Sequence, residues 1–275
     1  MKKILAAILA ASLALTLVAC GAPAEQTGDE WQLRREKLTQ EEEIKIMKEL
    51  EEFDTPTITN VVATYPAMSA CLGLYDPQQV NWYTDNRLRC LYPELGPRCG
   101  YAVTAVYGMV DPAFKRLEFK DILVEIAEAE GPVILFLKEN FSERMKNRNA
   151  LIGGNMMTAF KQLGVVGVIG DAPARDIDEM RPMKVQCMFP GTVAGHGTAA
   201  VEAVNVPVSM CGMDVAPMEV IHMDENGAVK FPRKYLKEVL EKAKELREFD
   251  NERMARMCQT TDPLELADIM KGLYK

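Results

Sequence analysis

The sequence is poor in the side chains that most often bind transition metals. His196 and His222 are its only histidines, and none of its seven cysteines forms a Cys-x-x-Cys pair with another. Structural zinc sites draw four ligands from closely spaced cysteines and histidines. The sequence therefore argues against a structural zinc site.

Long apolar runs are also scarce. The longest lies in residues 4–18, behind Lys2 and Lys3, and it is shorter than the roughly 20 residues that a transmembrane helix needs. A basic start, a short apolar run and small residues together predict a secretory signal over residues 1–19.

The end of this segment, Leu-Val-Ala-Cys at residues 17–20, resembles the lipobox of bacterial lipoproteins. The resemblance implies that Cys20 is lipidated and that residues 20–37 form a polar tether. An ordinary signal peptide cleaved nearby is the alternative. Both interpretations predict export, and the first predicts a lipoprotein of the cell envelope whose membrane contact is the N-terminal lipid alone.

Positive charge is in the minority. The chain has 32 Lys and Arg against 40 Asp and Glu, a formal net charge of −8, and loss of Lys2 and Lys3 with the signal would make it −10. An acidic surface repels phosphate backbones. We therefore predict a small-molecule ligand and no nucleic-acid partner.

Besides Cys20, the chain has six cysteines. An even number in an exported protein permits disulfides, with fifteen possible pairings. Free cysteines often behave as small buried apolar residues, and we predict that role for most of them.

Helical and strand-like segments alternate along the chain. A capping box at residues 39–42, Thr-Gln-Glu-Glu, predicts a helix to about residue 52. Apolar periodicity predicts strands at 101–108, 132–138, 165–170 and 185–191, a β-meander at 205–232 and a long helix at 232–257. This order predicts an α/β fold, with a mixed sheet covered by helices. The predicted domain covers residues 38–258, and a helical tail covers 259–275.

Residues 153–176 carry a glycine pair and an Arg-Asp pair at opposite ends of one helix–strand unit. The predicted helix, 155–163, and strand, 165–170, are joined only by Gly164, so they must run antiparallel. The start of the helix therefore lies beside the loop 171–176 that leaves the strand.

This juxtaposition predicts a site for a small anion. Unpaired amides at a helix start bind anions, and glycines let a ligand approach the backbone. Arg175 offers a planar fork for a carboxylate, and Asp176 offers an oxygen ligand for Mg²⁺. The candidate substrate-binding amides are those of Gly153, Gly154, Asn155 and Met156. The site suits a 2-oxo acid; without a ligand, the same residues would be a turn and a surface ion pair.

These residues resemble the RraA-like family, which includes the class II 4-hydroxy-4-methyl-2-oxoglutarate aldolases. The family pattern is a Gly-rich loop, a helix, an apolar strand and Asp-Gly-x-x-Arg-Asp, followed by a strand meander. Residues 153–176 follow the first part, and Asp224, Gly227 and Pro232 follow the second. The resemblance spans roughly residues 45–250.

The resemblance implies an α-β-β-α sandwich of the swivelling β/β/α type, in a homotrimer or hexamer. It implies that Arg175 binds the substrate carboxylate and that Asp176 binds Mg²⁺ or Mn²⁺. The implied reaction is retro-aldol cleavage of a small 2-oxo acid to pyruvate, or decarboxylation of oxaloacetate.

Three positions depart from the family pattern. Gly154 stands where the aldolases carry Glu or Asp, Ala172 replaces a glycine, and Met218-Glu219 replaces Gly-Asp. The first departure removes a carboxylate that would act through metal-bound water. Glu202, or a glutamate of the long C-terminal helix reaching a neighbouring subunit, is a candidate replacement.

The two histidines are predicted to differ in role. His222 lies in an alternating strand and is interpreted as structural, whereas His196 lies between glycines in a loop and is the candidate acid or base. Two other functions stay open. One is a phosphohistidine swivelling domain in which His196 carries a phosphate, and the other is a non-catalytic carboxylate-binding lipoprotein of the RraA-like family.

Overall fold

The structure, a computed structural model, describes residues 38–65, 69–79, 81–113 and 117–271. The predictions for residues 1–37, namely the signal segment, the lipidated Cys20 and the tether, lie outside these ranges. None of the helices within the ranges combines the length and the apolar character needed to cross a membrane.

The α-helices of the described residues lie at both ends of the domain and between its strands. They are α1 (Gln40–Leu50), α2 (Thr55–Val62), α3 (Phe119–Glu128), α4 (Glu143–Lys146), α5 (Gly154–Gln162), α6 (Ile177–Met180), α7 (Leu236–Met257) and α8 (Pro263–Lys271). The predicted capping box is confirmed, because the Thr39 hydroxyl accepts from the Glu42 amide and the Glu42 carboxylate accepts from the Thr39 amide. The long helix begins later than predicted, at Leu236, since Arg233–Tyr235 form a 3₁₀ turn.

The strands of the described residues build one large sheet and one hairpin. They are β1 (Arg89–Cys90), β2 (Arg98–Gly108), β3 (Val133–Glu139), β4 (Val165–Gly170), β5 (Gln186–Phe189), β6 (Ala200–Val204), β7 (Val208–Met210), β8 (Met213–Val215), β9 (Val220–Asp224) and β10 (Gly227–Phe231). The large sheet has the order β1-β5-β4-β3-β2-β9-β10, with β6 also pairing with β2, and β7 and β8 form the separate hairpin.

The centre of the large sheet is parallel. Strands β2 to β5 run in one direction, and β1, β6, β9 and β10 pair antiparallel to their neighbours. Because β2 has eleven residues, its first half pairs with β9 and its second half pairs with β6. The short strands predicted for residues 205–232 are confirmed, but they form two separate hairpins instead of one meander: β7–β8 stands apart, and only β9–β10 joins the large sheet.

Strand β3 shows how the layers are arranged. Its residues alternate between two apolar clusters: Val133 and Leu135 pack with α3 and α5 on one face, and Ile134 and Phe136 pack with the β7–β8 hairpin on the other. This period of two is the geometry of a strand buried on both faces. A third cluster joins α1, α2 and α7 to the β9–β10 end of the sheet. The predicted mixed α/β fold is therefore confirmed.

All six cysteines of the described residues are free thiols. Cys99, Cys187 and Cys211 are buried as predicted, whereas Cys71 and Cys90 are half-buried and Cys258 is exposed. Burial raises the pKa of the Cys99 thiol, which keeps it protonated and unreactive.

His222 is structural, as predicted. It is fully buried, its Nε2 lies 3.1 Å from the Leu50 carbonyl oxygen, and its Nδ1 lies 2.9 Å from the Thr55 hydroxyl. Because a carbonyl oxygen can only accept, Nε2 carries the proton and Nδ1 accepts from Thr55. Burial lowers the pKa of His222, so the ring is neutral and ties β9 to the α1–α2 connection.

This burial gives a pH-dependent stability. An unfolded chain binds a proton at His222 below about pH 6.5, and the folded chain does not, so the free energy of unfolding should fall as the pH drops through that value. His222→Gln should remove up to about 1.4 kcal/mol per pH unit from that slope. Urea unfolding between pH 5 and 7 measures it. His196→Gln is the matched control, since it removes an exposed histidine; equal slopes in the two variants would contradict the assignment.

Candidate functional site

The candidate site lies at the carboxyl edge of the parallel strands. Ligands of open α/β sheets generally bind at this edge. Tyr107 comes from the end of β2 and Phe119 from the start of α3, while the start of α5 and the loops that follow β3, β4 and β5 supply the other walls of a pocket of about 360 Å³. That volume suits a small metabolite.

The two ends of the predicted helix–strand unit meet here. The Gly154 amide donates to Asp176 Oδ2 at 3.2 Å, and Arg175 Nε lies 3.4 Å from the same oxygen. Gly153, Gly154, Asn155, Met156, Arg175 and Asp176 all line the pocket. The structure therefore brings together the residues that the sequence singled out, while their roles in binding and catalysis stay predictions.

Backbone hydrogen bonds fix the loop that carries Arg175. The Arg175 amide donates to the Ile152 carbonyl at 3.1 Å, and the Leu151 amide donates to the Pro173 carbonyl at 2.8 Å. On the other side, Ala174 bonds to Gly191 at 3.1 Å. The loop after β4 is thus held between the loops after β3 and β5. These bonds fix the backbone from which the Arg175 side chain extends.

Asp176 has a left-handed backbone, with φ 56° and ψ 36°. Non-glycine residues seldom adopt this conformation, and Asp and Asn are the usual exceptions. The Gly154 amide and Arg175 Nε both contact Oδ2 of its carboxylate.

The glycine pair leaves room for neighbouring side chains. A Cβ on Gly153 would lie 2.5 Å from Asp176 Oδ2 and 3.2 Å from Arg175 Nε, and a Cβ on Gly154 would lie 2.4 Å from the Glu179 carboxyl carbon. The space is therefore filled by side chains of the same chain. A side chain at either position would therefore displace the side chains that lie against the start of α5.

The helix start offers fewer free donors than predicted. The Gly154 amide is already used by Asp176, and the Met157 amide bonds to the Gly153 carbonyl at 3.0 Å within the helix. By helix geometry, the amides of Gly153, Asn155 and Met156 have no intrahelical partner. These three amides are the cradle that remains for an anion.

The candidate replacements for the carboxylate missing at Gly154 do not line the pocket in this chain. The Glu202 carboxylate lies over Gly108 and accepts from Asn140 at 3.1 Å. Helix α7 packs against α1 and α2, in a different apolar cluster from the one beneath the pocket. The acidic side chain beside Gly154 is Glu179 instead.

His196 lies in the exposed loop before β6 and lines the same pocket. Its Nδ1 lies 3.2 Å from the Gly197 carbonyl oxygen, which requires a proton on Nδ1 and leaves Nε2 as a lone-pair acceptor. This tautomer suits a base, so the role predicted for His196 is chemically possible.

Sequence reasoning missed two polar groups of the inner wall, Tyr107 and Asn149, and the carboxyl group of Glu139 behind them. The Tyr107 hydroxyl is buried and, within the described residues, has no hydrogen-bond partner. Asn149 lines the pocket and donates to Glu139 behind it. No local motif marks these residues, because strand pairing and loop packing alone bring them to the site.

The metal prediction can be compared with the side chains that are available to bind an ion. No group of three or more His, Cys, Asp or Glu in the described part of the chain could hold a metal ion. Mg²⁺ is commonly held by one or two carboxylates and keeps several waters, so Asp176 alone fits Mg²⁺ or Mn²⁺ bound largely through water and substrate.

The sequence pattern of the RraA-like family, described as Aldolase/RraA, matches residues 73–230, more than half of the chain. The chain belongs to the RraA-like family. The match covers the sheet and the whole pocket, and it lies within the region of resemblance predicted from the sequence.

Two curated relatives are similar to the RraA-like chain over part of their length. An uncharacterized protein of Methanocaldococcus jannaschii is 29% identical over 118 residues, 42% of this chain and 57% of that protein. A putative 4-hydroxy-4-methyl-2-oxoglutarate aldolase of Halalkalibacterium halodurans is 29% identical over 105 residues, 38% of this chain and 50% of that protein. The chain thus spans about half the length of the curated relatives it matches.

Solved structures share the fold. An uncharacterized protein of Pseudomonas syringae pv. tomato aligns with a TM-score of 0.62 at 18% identity, covering 86% of this chain and 95% of that one. RraAS2 of Streptomyces coelicolor, described as an unusual member of the RNase ES inhibitor RraA family, aligns with a TM-score of 0.57 at 19% identity, covering 81% and 99%. At these identities the likeness concerns the fold alone.

Proposed function

We propose that this RraA-like protein is a divalent-metal-dependent lyase acting on a small 2-oxo acid. The reaction would be retro-aldol cleavage to pyruvate or decarboxylation of oxaloacetate. The contact between the Gly154 amide and Asp176 Oδ2, at 3.2 Å, carries the proposal. It supports one pocket in which a helix start, a guanidinium and a carboxylate act on the same ligand.

Each group has a separate task in this proposal. Arg175 and the amides of Gly153, Asn155 and Met156 bind the substrate carboxylate, because a guanidinium fork and a helix start both favour anions. His196 Nε2 takes or returns a proton at the reacting end of the substrate. The apolar wall, which includes Phe119, excludes water and strengthens these interactions.

Asp176 would hold the Mg²⁺ or Mn²⁺ ion through its carboxylate. When bound, the ion supplies Lewis-acid polarisation of the 2-oxo group. Asp176 is kept in place by the Gly154 amide and by Arg175, so the position of its carboxylate does not depend on the ligand.

The proposal is tested by measuring pyruvate release from oxaloacetate. The protein is assayed with Mg²⁺ and with a chelator, and a blank contains Mg²⁺ without protein. Arg175→Lys keeps the charge but loses the fork, so we expect KM to rise about tenfold with kcat changed only a few-fold. Arg181→Lys is the matched control, because Arg181 pairs with Glu94 on the surface. Wild-type release no faster than the blank would exclude this decarboxylation, and unchanged KM in Arg175→Lys would remove Arg175 from the site.

A second function is favoured by Gly154. The family carboxylate is missing there, and Glu179 lies against the bare backbone, so the chain could retain ligand binding without turnover. Calorimetry with oxalate and Mg²⁺ separates the two functions: tight binding with no pyruvate release supports a non-catalytic carboxylate-binding protein.

We also propose that the protein is an exported, membrane-anchored lipoprotein without a nucleic-acid partner, and that it assembles as a homotrimer or hexamer. The proposal rests on the sequence around Cys20 and on the family resemblance. Sedimentation of wild type and Cys20→Ala with membranes tests the anchor, and light scattering of the mature protein tests the assembly.

A further inference from the structure

Glu139 is a buried carboxyl group directly behind the pocket. It is the last residue of β3 and only 2% exposed. Its Oε1 accepts a hydrogen bond from Asn149 Nδ2, whereas Oε2 is buried and finds no partner among the described residues. Most buried polar atoms are hydrogen-bonded, so this oxygen calls for an explanation.

Asn149 connects Glu139 to the loop that carries His196. Its Oδ1 accepts from the Gly197 amide. Since a backbone N–H can only donate, Oδ1 must face Gly197 and Nδ2 must face Glu139. The neighbouring Ala150 amide donates to the Gly195 carbonyl at 3.0 Å. Residues 195–197, the His196 loop, are therefore held from this side by residues 149 and 150.

The surroundings of Glu139 place its ionisation near neutral pH. The pKa of Glu139 is raised to about 7, chiefly by burial: the Asp171 carboxylate also acts to raise it, whereas the hydrogen bond from Asn149 and the Lys146 charge act to lower it. Asp171 accepts from the Glu139 amide at 2.7 Å and pairs with Lys146 at 2.6 Å. Tyr107 is its register partner on β2, while Arg87, Lys138 and Glu143 line the cavity on its other side.

We propose that Glu139 is a positioning residue that holds the His196 loop through Asn149, and that it holds the loop more tightly when it is ionised. A hydrogen bond to an ionised acceptor is about twice as strong as a neutral one. An amide polarised at its N–H group also becomes a better acceptor at its oxygen. Ionisation of Glu139 thus strengthens the hydrogen bond that the Gly197 amide, next to His196, donates to Asn149.

The inference concerns the geometry of the pocket and does not require lyase activity. It makes the position of His196 depend on pH, even though His196 itself is exposed and lies on another loop. The positioning role can therefore be tested without any substrate. A negative result would count against this role and not against the proposed lyase function.

Hydrogen exchange of the Gly197 amide, followed by NMR and corrected for the intrinsic rate, tests the proposal. In wild type we expect its protection to rise about fivefold between pH 6 and 8. Glu139→Gln keeps the acceptor for Asn149 but cannot ionise, so its protection should stay at the low-pH level. The Leu151 amide, which bonds to Pro173 at 2.8 Å, is the internal control and should show no step.

A merely structural Glu139 would give a different result. Substitution would then change the free energy of unfolding but leave the pH profile of the Gly197 amide as in wild type. A flat profile in wild type, or the same step in both proteins, overturns the proposal. Should Glu139→Gln not fold, Asn149→Ala cuts the same connection, and a pH step that persists in it also overturns the proposal.

Discussion

Asp176→Asn is expected to lower kcat/KM for a 2-oxo acid by about 100- to 1000-fold. Asparagine can still accept from the Gly154 amide, which lies 3.2 Å from Oδ2, and it tolerates a left-handed backbone. The fold should therefore survive, and the loss isolates the charge of the carboxylate. The affinity for Mn²⁺, followed by electron paramagnetic resonance, should fall together with the rate.

Asp178→Asn is the matched control for this change. Asp178 is exposed and lies two residues further along, in α6, so its substitution removes the same charge without touching the pocket. Equal losses in the two variants would mean that overall charge, and not ligation, controls the rate. Unchanged Mn²⁺ affinity in Asp176→Asn would place the metal elsewhere.

Gly153→Ala is expected to fold normally and to lose about 10- to 100-fold in ligand affinity. Its φ of −146° is open to any residue, so the backbone need not change. The new methyl group, however, would lie 2.5 Å from Asp176 Oδ2 and 3.2 Å from Arg175 Nε. Both side chains have to move, and displacement by a fraction of an ångström is enough to misplace a bound acid. Oxalate binding by calorimetry, together with the thermal midpoint, separates the two effects.

Gly191→Ala provides the comparison, since no heavy atom lies within 4 Å of the position of its Cβ. It carries the same glycine-to-alanine change on a loop that contacts Ala174. Affinity should stay as in wild type. An unaffected Gly153→Ala would show that Arg175 and Asp176 do not bind the ligand in the arrangement seen here.

Local sequence signals predicted much of the fold. The capping box at Thr39, the period of two in the central strands and the single-glycine link at Gly164 each depend on neighbours in the chain. The same link predicted the meeting of Gly154 with Asp176, because an antiparallel helix and strand of known rise leave no other arrangement.

The parts that escaped prediction depend on distant contacts. Glu139, Asn149 and Gly197 come together from three separate segments, and no spacing in the sequence connects them. The contacts of the glycine pair escaped prediction in the same way, because Arg175, Asp176 and Glu179 lie where a Cβ at Gly153 or Gly154 would be. Close approach of a ligand to this backbone stays a prediction. Side chains that fold back from a later helix leave no periodic trace.

The left-handed backbone at Asp176 limits how this protein could be redesigned. One residue both completes the turn into α6 and presents the carboxylate, so few amino acids satisfy the turn and fewer still keep a negative charge. Variants designed to alter the proposed metal site should therefore keep Asp176 and change exposed neighbours such as Asn155, whose backbone is helical.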